Sequence, residues 1–300
     1  MECAARHRSC WSVPDYNHTA MKWQGRRESS NVEDRRGVSG GMRAGGLGIG
    51  GLVLLLAVSY FTGQNPADLI SGLDQSGLST GGEQPAGPPI DDEASKFLKV
   101  VLADTEEVWA TLFQEQGKRY EPATLVLFTG ATQSACGVGQ AAMGPFYCPA
   151  DRQVYLDTSF FQELDQRFGA PGDFAQAYVV AHEVGHHIQT LTGVSARVTA
   201  AQQRASTTEA NALSVRQELQ ADCYSGVWGH YAARRGLVET NDVEEGLRAA
   251  AAIGDDRLQR ESRGRVSPES FTHGSSAQRV EWFRRGLEGG RMDACDTFQR

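Results

Sequence analysis

The sequence has no Cys-x-x-Cys pair, no long basic stretch, no basic–aromatic interleaving and no internal repeat. Each absence narrows the reading. Without close cysteine pairs the six cysteines are poor candidates for a zinc cluster, and six are too few for a disulfide-dense mini-fold. Without a basic face, and with a net charge of −8, the chain is not expected to bind nucleic acid. What is present is an acidic chain of 300 residues, 40% apolar and 22% charged, with 34 glycines. That composition fits a globular protein with loop-rich parts. The length allows one sizeable domain with appendages, or two small domains.

Charge is also missing locally. Residues 44–67 contain no Asp, Glu, Lys or Arg, and their centre, 47–61, is apolar. As a helix this stretch is about 36 Å long, enough to cross a hydrocarbon core of about 30 Å. Gly46-x-x-x-Gly50 adds a weak dimer-face signal. Before the stretch stand Lys22, Arg26, Arg27, Arg35, Arg36 and Arg43, against Glu28, Glu33 and Asp34. After it come Asp68, Asp74, Glu83, Asp91, Asp92 and Glu93, with no Lys or Arg before Lys96. Positive-inside logic then puts the N-terminus in the cytoplasm and the rest outside a single-pass anchor in the cytoplasmic membrane. The rival is a cleaved signal peptide, but the basic region is long for one and no small-x-small site is clean after Phe61. The expected organisation is a cytoplasmic tail over 1–43, a transmembrane helix over 44–63, a flexible linker over 64–90 and a folded domain over 91–300. Residues 1–20 show no periodicity, and Met21 is the expected natural start.

Within the domain, periodicity predicts a helix from Asp91-Asp92 to about Gln116, striped by Phe97, Val100, Val101, Val108, Leu112 and Phe113. Strands are expected over 124–128 and 154–157, and helices over 158–168, 174–191, 195–205, 208–235, 241–260 and 275–288. This is a mostly helical α+β pattern with a small β-sheet.

The stretch that carries chemistry is His182-Glu183-Val184-Gly185-His186-His187. On a helix, positions i and i+4 share a face, so His182 and His186 can aim two imidazoles at one metal ion. Glu183 stands beside them to hold and deprotonate a water. Asp173 is placed to cap this proline-free helix, and Thr192-Gly193 to end it. Gly185 removes a side chain next to the histidines, which lets another segment approach. A bare His-Glu-x-x-His is only a moderate signal, because buried histidines are usually core residues.

A catalytic zinc site takes a third protein ligand and leaves one position for water. Glu218-Leu219-Gln220-Ala221-Asp222 supplies it on a downstream helix. Glu218 would bind the metal, and Asp222, one turn on, would accept the second ring N–H of a ligand histidine. This is the Glu-x-x-x-Asp pattern of the gluzincins. The histidine class lacks its His-x-x-Gly-x-x-His continuation here. Alone, Glu218 and Asp222 would read as a solvated helix face; together with the histidine helix they read as a Zn²⁺ site. His187 lies about 100° around the helix from His186 and reads as a neighbour. His230 reads as structural. His273, in a Phe-Thr-His-Gly loop, is a candidate oxyanion donor, with a cap or surface histidine as the alternative. Tyr155, Tyr178 and Tyr231 are weaker candidates for that role, with core packing as their default. Cys136 and Cys148 flank a Gly-rich loop, Cys223 adjoins Asp222, and Cys295 lies near the C-terminus. In an exported domain they are expected to pair as Cys136–Cys148 and Cys223–Cys295; the alternative is four buried thiols.

The chain resembles the bacterial neutral zinc metallopeptidase family, single-pass proteins with a gluzincin-type domain. The resemblance rests on the run at 21–37 that begins Met21-Lys22-Trp23-Gln24-Gly25-Arg26-Arg27, on Ser134-Ala135-Cys136-Gly137 and Gly144-Pro145-Phe146-Tyr147-Cys148-Pro149, and on Val154-Tyr155-Leu156-Asp157. It rests equally on His182 to His187, on the run from Glu218 through Asp222-Cys223-Tyr224 to Trp228, and on Phe271-Thr272-His273-Gly274-Ser275. The resemblance implies a zincin-like fold, zinc ligands His182, His186 and Glu218, and Glu183 as base. The expected function is a zinc-dependent peptidase outside the cytoplasmic membrane, with the strand at 154–157 as a possible edge for an extended substrate. The contrasting reading is a membrane-anchored binding or scaffolding domain whose zinc is structural or vestigial. Substrate and oligomeric state are not written in the chain.

Overall fold

Residue 36 and residue 90 lie side by side, and the domain is built across that junction. The computed structural model describes residues 21–36, 90–140 and 144–299. The tail 1–20 with Cys3 and Cys10, the expected transmembrane stretch 44–63 and the linker up to residue 89 lie outside the described residues. Among the described residues, no helix is long and apolar enough to cross a membrane.

In chain order the elements are β1 (Val32–Asp34), α1 (Glu93–Glu115), β2 (Thr124–Phe128), β3 (Ala131–Ser134), β4 (Gly137–Gln140), β5 (Phe146–Cys148), β6 (Gln153–Asp157), α2 (Phe160–Gln166), α3 (Asp173–Leu191), α4 (Val194–Gln202), α5 (Thr207–Arg234), α6 (Thr240–Ala252), α7 (Asp255–Arg263) and α8 (Ser276–Gly289). The expected mostly helical α+β architecture with small sheets is present. One sheet has the order β1-β2-β6-β5, and β3 and β4 form a separate two-stranded sheet.

Alternation sorts the sheet's side chains. Leu125, Leu127, Val154 and Leu156 face the main core, whereas Val126, Phe128 and Tyr155 build a smaller cluster on the other face. β1, β2 and β6 run parallel, and β5 runs antiparallel along β6. Here two expectations are corrected. The strand at 154–157 is interior, flanked by β2 and β5, so it offers no edge. Residues 21–36, expected in a separate tail, are part of the domain: β1 pairs with β2, and Met21 and Trp23 are buried in the core. Burying two side chains of this size contributes about 1.5–3 kcal/mol each.

Asp92 caps α1 by accepting from Ser95 N–H at 2.8 Å, and the apolar stripe of α1 packs Trp109 edge-on against Tyr224 of α5, 5.5 Å between centroids. α3 is buried on nearly every side, as a central helix must be. It starts after Gly172, so Asp173 is its first residue rather than its cap; the first turn is satisfied from a distance instead, by the Glu245 carboxylate, which accepts from Phe174 N–H at 3.2 Å. The expected single helix over 241–260 is two, α6 and α7. The chain breaks at Gly254, where a Cβ would come within 2.4 Å of the Ser276 backbone. The approach of another segment forces the break.

α5 and α8 cross at two glycines. A Cβ on Gly226 would sit 2.1 Å from Phe283 O, and one on Gly286 would sit 1.9 Å from Cys223 O. The backbones therefore touch. Helical spacing fixes what else meets there: Asp222 is one turn before Gly226, and Arg279 two turns before Gly286. The disulfide Cys223–Cys295 ties the C-terminal segment to the same stretch of α5, and Cys136–Cys148 joins the β3–β4 turn to the end of β5.

Because even one methyl must separate two backbones, Gly286→Ala is expected to destabilise the fold by about 1–3 kcal/mol. Chemical denaturation measures this, and a variant as stable as the parent would contradict the crossing.

Candidate metal centre

α3 and α5 bring the centre together because Gly185 lets them approach. A Cβ on Gly185 would meet Ala221 O at 3.0 Å. Across this contact, His182 and His186 on α3 face Glu218 on α5. His182 Nε2 lies 3.1 Å from one Glu218 oxygen, and His186 Nε2 lies 3.5 Å from the other. Each residue offers one ligand atom, and these atoms all lie within 4.8 Å of one another. Tetrahedral zinc with bonds near 2.05 Å spaces its donors by about 3.4 Å. The two histidine–carboxylate separations, each to a different Glu218 oxygen, lie near that value, and with one atom of each residue within 4.8 Å of the others the group could hold a Zn²⁺-sized ion.

Behind the ligands lies a second layer. His182 Nδ1 is 2.9 Å from Asp222 Oδ1, which leaves Nε2 free for the metal. Asp222 is completely buried. Its carboxylate also accepts from the Tyr178 hydroxyl at 2.5 Å and from Arg279 Nε and Nη2, each at 2.9 Å. His186 Nδ1 lies 2.9 Å from Gln189 Oε1, and the Gln189 amide donates in turn to Gln217 O at 2.6 Å. The second ring nitrogen of each candidate ligand histidine is thus held.

The electrostatics follow from burial against pairing. Burial alone would lower the pKa of His182, but the Asp222 and Glu218 carboxylates raise it to about 10. His186 is raised by Glu218 against the same burial. Glu218, which burial alone would raise, is held well below the ordinary carboxyl range by the two imidazoles. Asp222 is likewise lowered, against its burial, by Arg279 and His182. Without a cation, protons therefore compensate the buried carboxylates; a metal ion would displace them.

The centre opens into a cleft of about 920 Å³ whose walls include Glu183, His273, Phe146, Tyr147, Phe160, Phe168 and Leu258. His273 lies on this wall with Asp255 behind it. Asp255 Oδ1 is 3.4 Å from His273 Nδ1 and raises its pKa, while Oδ2 accepts the backbone N–H groups of residues 272, 273 and 274 at 2.6–3.1 Å. Among the tyrosines, Tyr178 borders the cleft but gives its hydroxyl to Asp222. Tyr155 bonds Asp151 and Gln153 outside the cleft, and Tyr231 lines a different cavity. His187 turns away from Glu218, toward Tyr147 OH at 3.0 Å and Glu121 O at 2.6 Å. His230 bonds Leu287 O at 2.8 Å.

Three residues of the centre were not singled out from the sequence for these tasks: Arg279, Gln189 and Asp255. Arg279 carried the clearest missed signal. It shares a helix face with Phe283 and Gly286, an arginine on an apolar stripe. Gln189 is similarly a polar residue on a buried face, three positions after His186. Asp255 had no signal beyond standing at a helix start.

The family model described as "Putative neutral zinc metallopeptidase" matches residues 21–298. The chain is 51% identical over 295 residues to the uncharacterized protein YpfJ of Escherichia coli K12, spanning 93% of this chain and 99% of that one. It is 43% identical over 221 residues to the uncharacterized protein Rv2575 of Mycobacterium tuberculosis H37Rv, spanning 69% of this chain and 72% of that one. No solved structure matches the chain.

Two measurements probe the layer behind the ligands. Below about pH 10 the metal-free His182 carries the proton that a metal must expel, so affinity should rise with pH, about tenfold per unit between pH 7 and 9. Competition with a chromophoric chelator reads this, and a pH-independent affinity would contradict it. Arg279→Met leaves Asp222 buried without its cation; it should cost about 3–5 kcal/mol of stability. It should also weaken metal binding about 10–100-fold. A stable variant with parental affinity would remove Arg279 from the account.

Proposed function

The chain belongs to the neutral zinc metallopeptidase family, and from that premise we propose that it is a zinc-dependent peptidase with His182, His186 and Glu218 as ligands and Glu183 as general base. The observation that carries the reading is an open ligand set. Among the described residues the metal-binding group has three members. His187 is committed to Tyr147 and Glu121, and the four cysteines of the domain are paired. A fourth position is thereby left for water, as a catalytic site requires. The contrasting reading, a scaffold with structural zinc, needs that position closed by protein.

A bound Zn²⁺ supplies Lewis acidity toward the scissile carbonyl and a water whose pKa falls to about 7. The chain supplies the rest. Glu183, on the cleft wall beside the ligands, takes the proton of the attacking water and returns it to the leaving amine. His273, held by Asp255, donates to the oxygen that gains charge. With β6 interior, the strand available to an extended substrate is β5, which lines the cleft through Phe146 and Tyr147 and has β6 on one side only. The apolar lining at Phe160, Phe168 and Leu258 suits a peptide with large apolar side chains. Association with a lipid bilayer through residues 44–63 belongs to the same proposal.

Glu183→Gln should keep one zinc per chain and lose at least 10²–10⁴-fold in kcat on a denatured protein or peptide library. Zinc content by mass spectrometry is read beside hydrolysis. A zinc-loaded Gln variant with parental activity would refute the assignment of the base.

A further inference from the structure

The sequence, read by its charges, sets residues 1–43 on one side of a bilayer and the domain on the other. The fold joins them. Asn31 O accepts from Leu125 N–H at 2.9 Å, and Arg35 N–H donates to Leu127 O at 2.7 Å, in register with the β1–β2 pairing. Trp23 packs edge-on against Phe97, 5.7 Å between centroids, and Met21 is 1% exposed. Ser29 donates to Glu106 at 2.5 Å, and Arg27 donates to Ala103 O at 2.7 Å. At the junction, the Arg36 side chain binds Asp34, Asp92 at 2.9 Å and Ile90 O at 3.0 Å, while Ile90 N–H donates to Asp34 at 3.1 Å.

We propose that residues 21–36 and the domain of residues 90–299 lie on the same side of the membrane. A hydrocarbon core about 30 Å thick separates the two sides of a bilayer. One crossing would part residues 36 and 90 by at least that much, and here Arg36 donates to Ile90 O at 3.0 Å while Ile90 N–H donates to Asp34 at 3.1 Å. A second copy in the same orientation offers no escape, because its own residues 21–36 would also be on the wrong side. A second crossing has no sequence to make it. Residues 64–89 carry Asp68, Asp74 and Glu83 and hold no apolar run of about 20 residues.

The positive charges that suggested the single-pass orientation have another cause. Of the six, Lys22 pairs with Glu239, Arg27 with Glu106 and Glu107, Arg35 with Glu33, and Arg36 with Asp34 and Asp92. Arg26 bonds the carbonyls of Lys22 and Arg235. Five of the six thus have partners within the domain, the Arg36 side chain buried and Lys22 and Arg27 at its surface, and the sixth, Arg43, lies outside the described residues.

The test uses the full chain in cells, with Cys3 and Cys10 replaced by serine. A single new cysteine goes at Ser30, or independently at Glu28, and in a separate variant at Ala196. All three positions are exposed. Intact cells, with any outer envelope made permeable, are treated with a membrane-impermeant maleimide, and lysed cells set full labelling. The expected result is one behaviour at Ser30→Cys, Glu28→Cys and Ala196→Cys: all three label in intact cells to the same fraction of the lysed signal, or all three label only after lysis. Labelling of Ala196→Cys in intact cells, with Ser30→Cys and Glu28→Cys labelled only after lysis, would overturn the proposal. Neither outcome depends on whether the domain hydrolyses peptides.

Discussion

A buried carboxylate holds this structure together at its working end. Asp222 is removed from water and must find charge-assisted partners; it finds Arg279, Tyr178 and His182 from two other helices. One anion thereby fixes three elements relative to one another. The glycine crossing of α5 and α8 is what allows it, since Arg279 reaches Asp222 only where the two backbones touch. The same bond that satisfies Asp222 orients His182, so packing and ligand geometry are one constraint. A structure that loosened the crossing would lose the orientation of the ligand with it.

The centre shows a division of labour between its two histidines. His182 is oriented by a charged carboxylate, and His186 by the neutral amide of Gln189. A carboxylate partner raises ligand basicity more than an amide does. Glu218, the third candidate ligand, sits between the two imidazoles and is the group whose charge a metal ion would neutralise most directly. Around this polar knot the cleft wall is mixed, aromatic and aliphatic at Phe146, Tyr147, Phe160, Phe168 and Leu258 and charged at Glu163, Arg167 and Glu261.

Much of the site was legible because it is periodic. His182 and His186 are one helical turn apart, as are Glu218 and Asp222, and β2 appears at its exact bounds, 124–128, as a continuous apolar run. What spacing could not show was set by distant contacts. β1 has three residues, and its partner β2 begins about ninety positions later, so neither length nor alternation marks it. Its flanking arginines carried a membrane signal that the fold explains by ion pairs. The break between α6 and α7 depends on the approach of Ser276, and the edge role passed from 154–157 to β5 because β5, only three residues long, was not visible as a strand. Arg279 was hidden for a related reason: its role is defined by a helix 57 positions away.

The central claim is an open, three-ligand zinc centre. X-ray absorption at the zinc edge of the full chain loaded with one zinc tests it directly. The account predicts two imidazole nitrogens and oxygens from one carboxylate and one water, with the water shell displaced by a small hydroxamate. A site closed by four protein ligands, or one that the hydroxamate leaves unchanged, would contradict it.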